Sequence, residues 1–282
     1  MTAIAATPAA TARPRTARLT LPRIVKSEWI KVRSVRSTWL LLGIFAVCAL
    51  GITSAMAAFA QFSTPEAGET GVFLGESDAS TALLNLATTA VVETAMILVT
   101  VFAVLAIGSE YSSGAIRSTL SAAPRRGSVF AAKTFVIAGS AVLVSAVLTV
   151  ASWAIGAGIL SARGLDPVLN SEGVRQMVLG VVYVAVIALI AVGAGFITRS
   201  TAGGMAIVLG LLLVLPILLS FLSSTKVGGY LKAALPDQAA GALIAGDDSY
   251  LIGGQVGAAA VLASWVVLSL VGAYVTFTRR DA

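Results

Sequence analysis

The sequence predicts an all-α integral membrane protein: six transmembrane helices, preceded by an amphipathic helix and carrying a short helix in the longest inner loop. Three observations carry that prediction. Hydrophobic residues make up 57% of the 282 positions and charged ones 11%, too little polar surface to solvate a globule of this size. Six runs with few or no charges reach the roughly 20 residues that a helix needs to cross a lipid core ~30 Å thick. Lys and Arg then collect in alternate connections, as they do when a chain threads back and forth across a membrane.

Taken in order, residues 1–19 are rich in Ala, Thr, Pro and Arg without apolar periodicity and read as a flexible cytoplasmic arm. Within residues 20–38, Leu21, Val25, Trp29 and Val32 recur at helical steps and form one apolar stripe, with Arg23, Lys26 and Arg33 on another side. This pattern suits a helix lying on the inner membrane surface with Trp29 at headgroup level. Glu28 and Arg36 interrupt the stripe, so a basic juxtamembrane segment serving topology alone is the other reading.

Residues 39–282 form the transmembrane domain. Its spans are Trp39–Ala60, Thr81–Gly108, Thr134–Leu160, Gln176–Thr198, Thr201–Ser223 and Leu251–Thr278. Each should be helical, because a backbone in hydrocarbon must satisfy its own hydrogen bonds and none of the runs shows the period-two alternation of a barrel strand. The single Cys48 lies in the first span, which rules out an intrachain disulfide and reads as a small buried hydrophobe. That span begins only after a long basic stretch, which argues against a cleavable signal peptide. Pro216 predicts a kink in the fifth span.

Placing both termini inside puts 15 of the 19 basic residues on the inner face and leaves Arg163, Arg175, Lys226 and Lys232 outside. The localisation expected is therefore the cytoplasmic membrane, multi-pass, with both ends cytoplasmic. The net charge of +6 then faces anionic lipid, with no nucleic-acid partner implied.

Within the bilayer, Glu93 is the one charged residue in the cores of the six spans. Asn85, Thr89, Glu93, Met96 and Thr100 fall within an arc of about 80° and give the second span one polar stripe. A carboxylate at that depth costs ~2.5–3.5 kcal/mol or more unless neutralised, paired or wetted. The stripe therefore lines a substrate route or an intersubunit seam, or else Glu93 is protonated and hydrogen-bonded between helices.

The inner loop after the second span holds a short helix through Ile116 and Leu120 that stops at Pro124 and exposes Arg117 with the Arg125–Arg126 pair. Docking and simple solvation explain it equally well. Outside, residues 62–80 are acidic, and Leu231–Ile244 is apolar enough for one or two short helices at the outer interface, acting as a lid or as plain packing.

No His occurs anywhere, no Asp lies in a span and no Gly-x-x-x-x-Gly-Lys-Ser/Thr loop is present. These absences remove zinc-protease, Ser-His, intramembrane aspartyl-protease and phosphate-loop chemistry, so no enzyme activity is expected of the chain alone. A membrane protein without an engine points to an external one.

The segment Ser27-Glu-Trp-Ile-Lys-Val-Arg-Ser-Val-Arg-Ser-Thr-Trp39, and Glu110-Tyr-Ser-Ser-Gly-Ala-Ile-Arg-Ser-Thr-Leu-Ser-Ala-Ala-Pro-Arg-Arg-Gly127 with Ala131-Ala-Lys133, resemble type-2 ATP-binding-cassette (ABC) permeases of high-GC Gram-positive bacteria. The resemblance implies an exporter-type membrane subunit with an amphipathic connecting helix and a cytoplasmic coupling helix that docks on a separate ATPase. It places Glu28, Trp29, Lys31, Arg33 and Arg36 in the connecting helix. It places Glu110, Gly114, Arg117, Pro124, Arg125, Arg126 and Lys133 in the docking loop, where Ile116 and Leu120 also lie. It implies no cofactor on this chain, ATP and Mg on the ATPase, a second permease copy or homologue, and an outer re-entrant segment around Leu235 and Pro236. Two other classes stay open: a proton-coupled carrier working through Glu93, and a sensor or scaffold that moves nothing.

Overall fold

The computed structural model describes residues 20–61, 72–73, 79–122, 125–165 and 167–279. The arm at 1–19, most of the acidic segment 62–80, and Pro124 lie outside the described residues.

Helix α1 (Leu21–Ser34) has Pro22 in its first turn, where the missing N–H costs nothing. It ends because Val35 is extended, and α2 (Arg36–Phe59) starts directly after it. The first span thus begins three residues before the expected Trp39, and the Trp39 indole N–H ties the joint by donating to the Arg33 carbonyl at 2.8 Å. Two strand pieces, β1 (Ala60–Gln61) and β2 (Val72–Phe73), pair in parallel beyond α2.

Helices α3 (Ala79–Ser112) and α5 (Arg126–Ser161) have 34 and 36 residues, about 50 Å of helix. That exceeds a ~30 Å lipid core, so both project from it, and α4 (Ala115–Ala122) bridges the projecting ends. Helix α6 (Ser171–Thr198) starts under an Asn170 cap, its side chain accepting from the Gly173 N–H at 2.7 Å.

The fifth span is α7 (Thr201–Leu209), a π turn (Gly210–Val214) and α8 (Leu215–Ser220). Pro216 has no N–H, and its ring would strike the carbonyl one turn back; the π turn just before it is where the ladder gives way. Two short helices follow, α9 (Lys226–Ala233) and α10 (Pro236–Ala245), as the apolar Leu231–Ile244 segment predicts, before α11 (Gly254–Arg279).

Among the described residues six helices are long and apolar enough to cross a membrane. In the apolar stretches of α3 and α6, 67% and 61% of residues are buried, against at most 33% in the other four spans, so these two form the centre. Small residues set that closeness: a Cβ on Gly180 of α6 would lie 2.5 Å from the Thr88 methyl of α3. The outward faces of α2, α5 and α11 carry bare Val, Leu and Ile, as a lipid-facing surface should.

Candidate functional site

Two polar regions stand out, one at each end of the α3–α6 core. At the first, Gly114 turns the chain out of α3 with φ +71°, a left-handed conformation that glycine adopts without strain. Helix α4 follows with Ile116 buried at 3% exposure and Leu120 half-buried, while Arg117, Ser118 and Ser121 face outward. The helix is thus keyed into the bundle on one side and offers a hydroxyl- and guanidinium-bearing side to whatever lies beyond. Arg125 is exposed as well.

Directly above α4 sits a closed ring of four charges. The Lys133 ammonium of α5 donates to Glu28 Oε2 of α1 at 2.7 Å and to Glu110 Oε1 of α3 at 2.5 Å. The Lys31 ammonium of α1 donates to Glu28 Oε1 at 2.9 Å and to the same Glu110 oxygen at 3.1 Å. Lys133 is 2% exposed and Glu28 5%, so the ring is mostly out of water. Burial alone would raise the Glu28 carboxyl, but the charges and hydrogen bonds of Lys133 and Lys31 outweigh it and hold the group below its usual range. Burial would likewise lower Lys31, and the partner carboxylates Glu28 and Glu110 instead lift it above the ordinary lysine range. All four residues also line a cleft of about 450 Å³ bounded by α1, α2, α3, α4 and α5.

This geometry changes the sequence picture. Glu28, read as a break in the α1 stripe, is the face by which α1 seats on α5, together with buried Ile24. Leu21 and Trp29 of the stripe stay exposed, as do Arg33 and Arg36. Glu110 and Lys133 turn inward from the loop to which they were assigned, because α5 starts at Arg126 and Lys133 lies two turns inside it.

Arg126, expected exposed, is half-buried: its guanidinium donates to the Phe277 and Thr278 carbonyls at 3.2 and 3.3 Å and caps the end of α11. Arg199 donates to the Thr276 carbonyl at 3.4 Å and lies over the Tyr111 ring at 5.4 Å. Phe130, Phe196 and Phe277 of three helices pack in tilted and edge-on contacts with centroids 5.0 to 6.3 Å apart.

The second region is a partly open chamber of about 370 Å³ between α3, α6 and α10, with Asn85, Thr89 and Glu93 exposed on its α3 side. Asn85, Thr89, Glu93 and Met96 of the predicted stripe line it, whereas Thr100 is buried below, its hydroxyl donating to the Met96 carbonyl at 2.6 Å. Four polar contributors were not legible: Thr88 of α3, Tyr183 of α6, and Asp237 and Gln238 of α10. A lone acid in the apolar Leu231–Ile244 segment was the available signal for Asp237. Helix α10 is pinned in place by Arg175, which donates to the Leu243 and Ile244 carbonyls at 2.9 and 3.2 Å while Glu172 holds it at 2.5 Å. Trp265 donates to the Ala234 carbonyl at 2.9 Å, and Tyr250 donates to that of Ala233.

A family model described as ABC-2 family transporter protein matches residues 24–216, more than half of the chain. The chain belongs to the ABC-2 family. It is thus a multi-pass membrane subunit of an ABC transporter, and the family implies an ABC ATPase as partner. Among curated proteins no match is found. The ABC-2 match runs from α1 into α8, so it spans the charge ring and α4 but ends before α10 and the chamber residue Asp237.

Proposed function

We propose that this permease is the membrane half of an ATP-driven exporter and that its ATPase docks on α4. One observation carries the reading: α4 is anchored by Ile116, exposes Arg117, and sits under a charge ring that fastens α1, α3 and α5 to one another. A push on α4 reaches three helices at once, and rigid-body tilting of the spans then opens a central path alternately to each side. In this reading α4 is the coupling helix and α1 the connecting helix lying on lipid. The α4 end and both termini are cytoplasmic, and two permeases pair with two ATPases. ATP and Mg belong to the ATPase; this chain binds no cofactor and catalyses nothing by itself.

The double change Arg117→Glu with Arg125→Glu tests it. Co-purification with the ATPase and ATP-dependent transport should both fall at least tenfold while the permease keeps its melting temperature. Undiminished binding and pumping would remove α4 from the docking role.

The carboxylate-lined chamber favours a second reading, a carrier driven by protons through Glu93. Activity that collapses with a protonophore and survives ATP depletion would select it.

A further inference from the structure

The chamber under α10 has a composition that general permeation does not need. Glu93 and Asp237 both line it, no Lys or Arg does, and neither carboxylate has a cationic partner among the described residues. Arg175, behind α10, is already engaged by Glu172 and two carbonyls.

Beside the acids are polar atoms with no mate. Tyr183 and Thr88 are each 2% exposed, both line the chamber, and among the described residues neither the Tyr183 hydroxyl nor Thr88 Oγ1 has a hydrogen-bond partner. Asp237 Oδ1 is equally unpartnered, while Oδ2 accepts from Gln238 Nε2 at 2.8 Å. Buried polar groups are nearly always satisfied, so a cluster of unmatched ones marks where something is meant to sit.

The donor set narrows what that is. Carboxylate oxygens only accept and the two hydroxyls can accept as well as donate, so the set is richest in acceptors, and an ammonium group brings three donors and a positive charge. A bare metal ion fits poorly: no group of three or more His, Cys, Asp or Glu able to hold one occurs among the described residues. The cavity is also on the scale of an organic ligand, about 300 Å³ and upward. Val92, Met96 and Ile244 supply an apolar wall for the rest of such a molecule.

We propose that this chamber binds the ammonium group of an amphiphilic organic cation, Glu93 and Asp237 taking the charge and Tyr183 and Thr88 its remaining hydrogen bonds. The inference rests on the transport reading above and names the class of substrate that the permease accepts. Of its four residues, Thr88, Glu93 and Tyr183 lie within the segment that the family model matches, and Asp237 on α10 lies beyond it.

The test uses the full-length chain in lipid nanodiscs without its ATPase, titrated with monodansylcadaverine and, as the neutral twin, its N-acetyl derivative, each corrected for empty discs. Saturable binding of the amine is expected, with the acetylated form at least tenfold weaker. Glu93→Gln and Asp237→Asn should each weaken amine binding by about tenfold or more and leave the acetylated form unchanged. Tyr183→Phe and Thr88→Val, which remove one oxygen and no charge, should weaken it severalfold, and they decide the matter if a carboxylate variant fails to fold. Equal binding of amine and acetylated forms, wild-type affinity in Glu93→Gln/Asp237→Asn, or no saturable binding would each overturn the proposal. Arg117→Glu/Arg125→Glu should bind the amine as wild type does. Lost docking with intact amine binding would therefore count against the coupling reading alone, and lost amine binding with intact docking against the chamber alone.

Discussion

Lys133 shows how one buried charge organises a membrane protein's edge. Its ammonium stands between two carboxylates at 2.7 and 2.5 Å, and deleting it would leave Glu28 and Glu110 facing each other with only half-exposed Lys31 to balance them. Lys133→Ala should therefore cost about 3–5 kcal/mol of stability, the toll of breaking a buried pair. Lys31→Ala, removing the member that water can replace, should cost about 1 kcal/mol or less. Thermal unfolding in detergent measures both, and equal losses would mean that the ring is solvated throughout. The pH dependence has a defined sign. Glu28 titrates below its ordinary 4.5 when folded, so its contribution is present above pH 4.5 and is lost as pH falls through the lower folded value. Lys31 titrates above 10.5, so its contribution is complete below pH 10.5 and is lost as pH rises through the folded value. Between those limits the contributions of Glu28 and Lys31 are both present.

At the scale of the element, the α3–α6 contact depends on the absence of side chains. Gly180→Val would drive a branched side chain into Thr88 and should destabilise by about 1–3 kcal/mol. Gly139→Val on α5, where nothing among the described residues lies within 4 Å of the added carbon, should stay within about 0.5 kcal/mol. Comparative unfolding of the two variants checks the pair, and matched losses would show that helix flexibility, not the seam, sets the cost. The same scale separates what was legible in the sequence from what was not. Each span announced itself through its length and want of charge, and the breaks at Pro216 and in the Leu231–Ile244 segment followed from local chemistry. The start of α5 did not: Arg126 and Lys133 look like loop residues until Glu28 and Glu110 are brought to neutralise the lysine and α11 offers its carbonyls to the arginine. The polar stripe of α3 was visible as far as its periodicity reached. Its partners Tyr183 and Asp237 come from helices whose placement against α3 no local pattern encodes.

For the whole molecule, the direction of insertion decides whether the ATPase can reach α4 at all. In a Cys48→Ser background, Ser118→Cys on α4 and Ser249→Cys beyond α10 are both exposed positions. A membrane-impermeant maleimide should label Ser249→Cys in intact cells and Ser118→Cys only after permeabilisation. The reverse pattern would put α4 beyond the ATPase. The charge ring also constrains the order of assembly. Ribosomes deliver Glu28 and Lys31 long before Glu110 and Lys133, which lie 79 to 105 residues later along the chain. Until α5 is made, Glu28 has Lys31 of its own helix as partner but not the buried Lys133, so the first helix synthesised is the last of its neighbourhood to be locked.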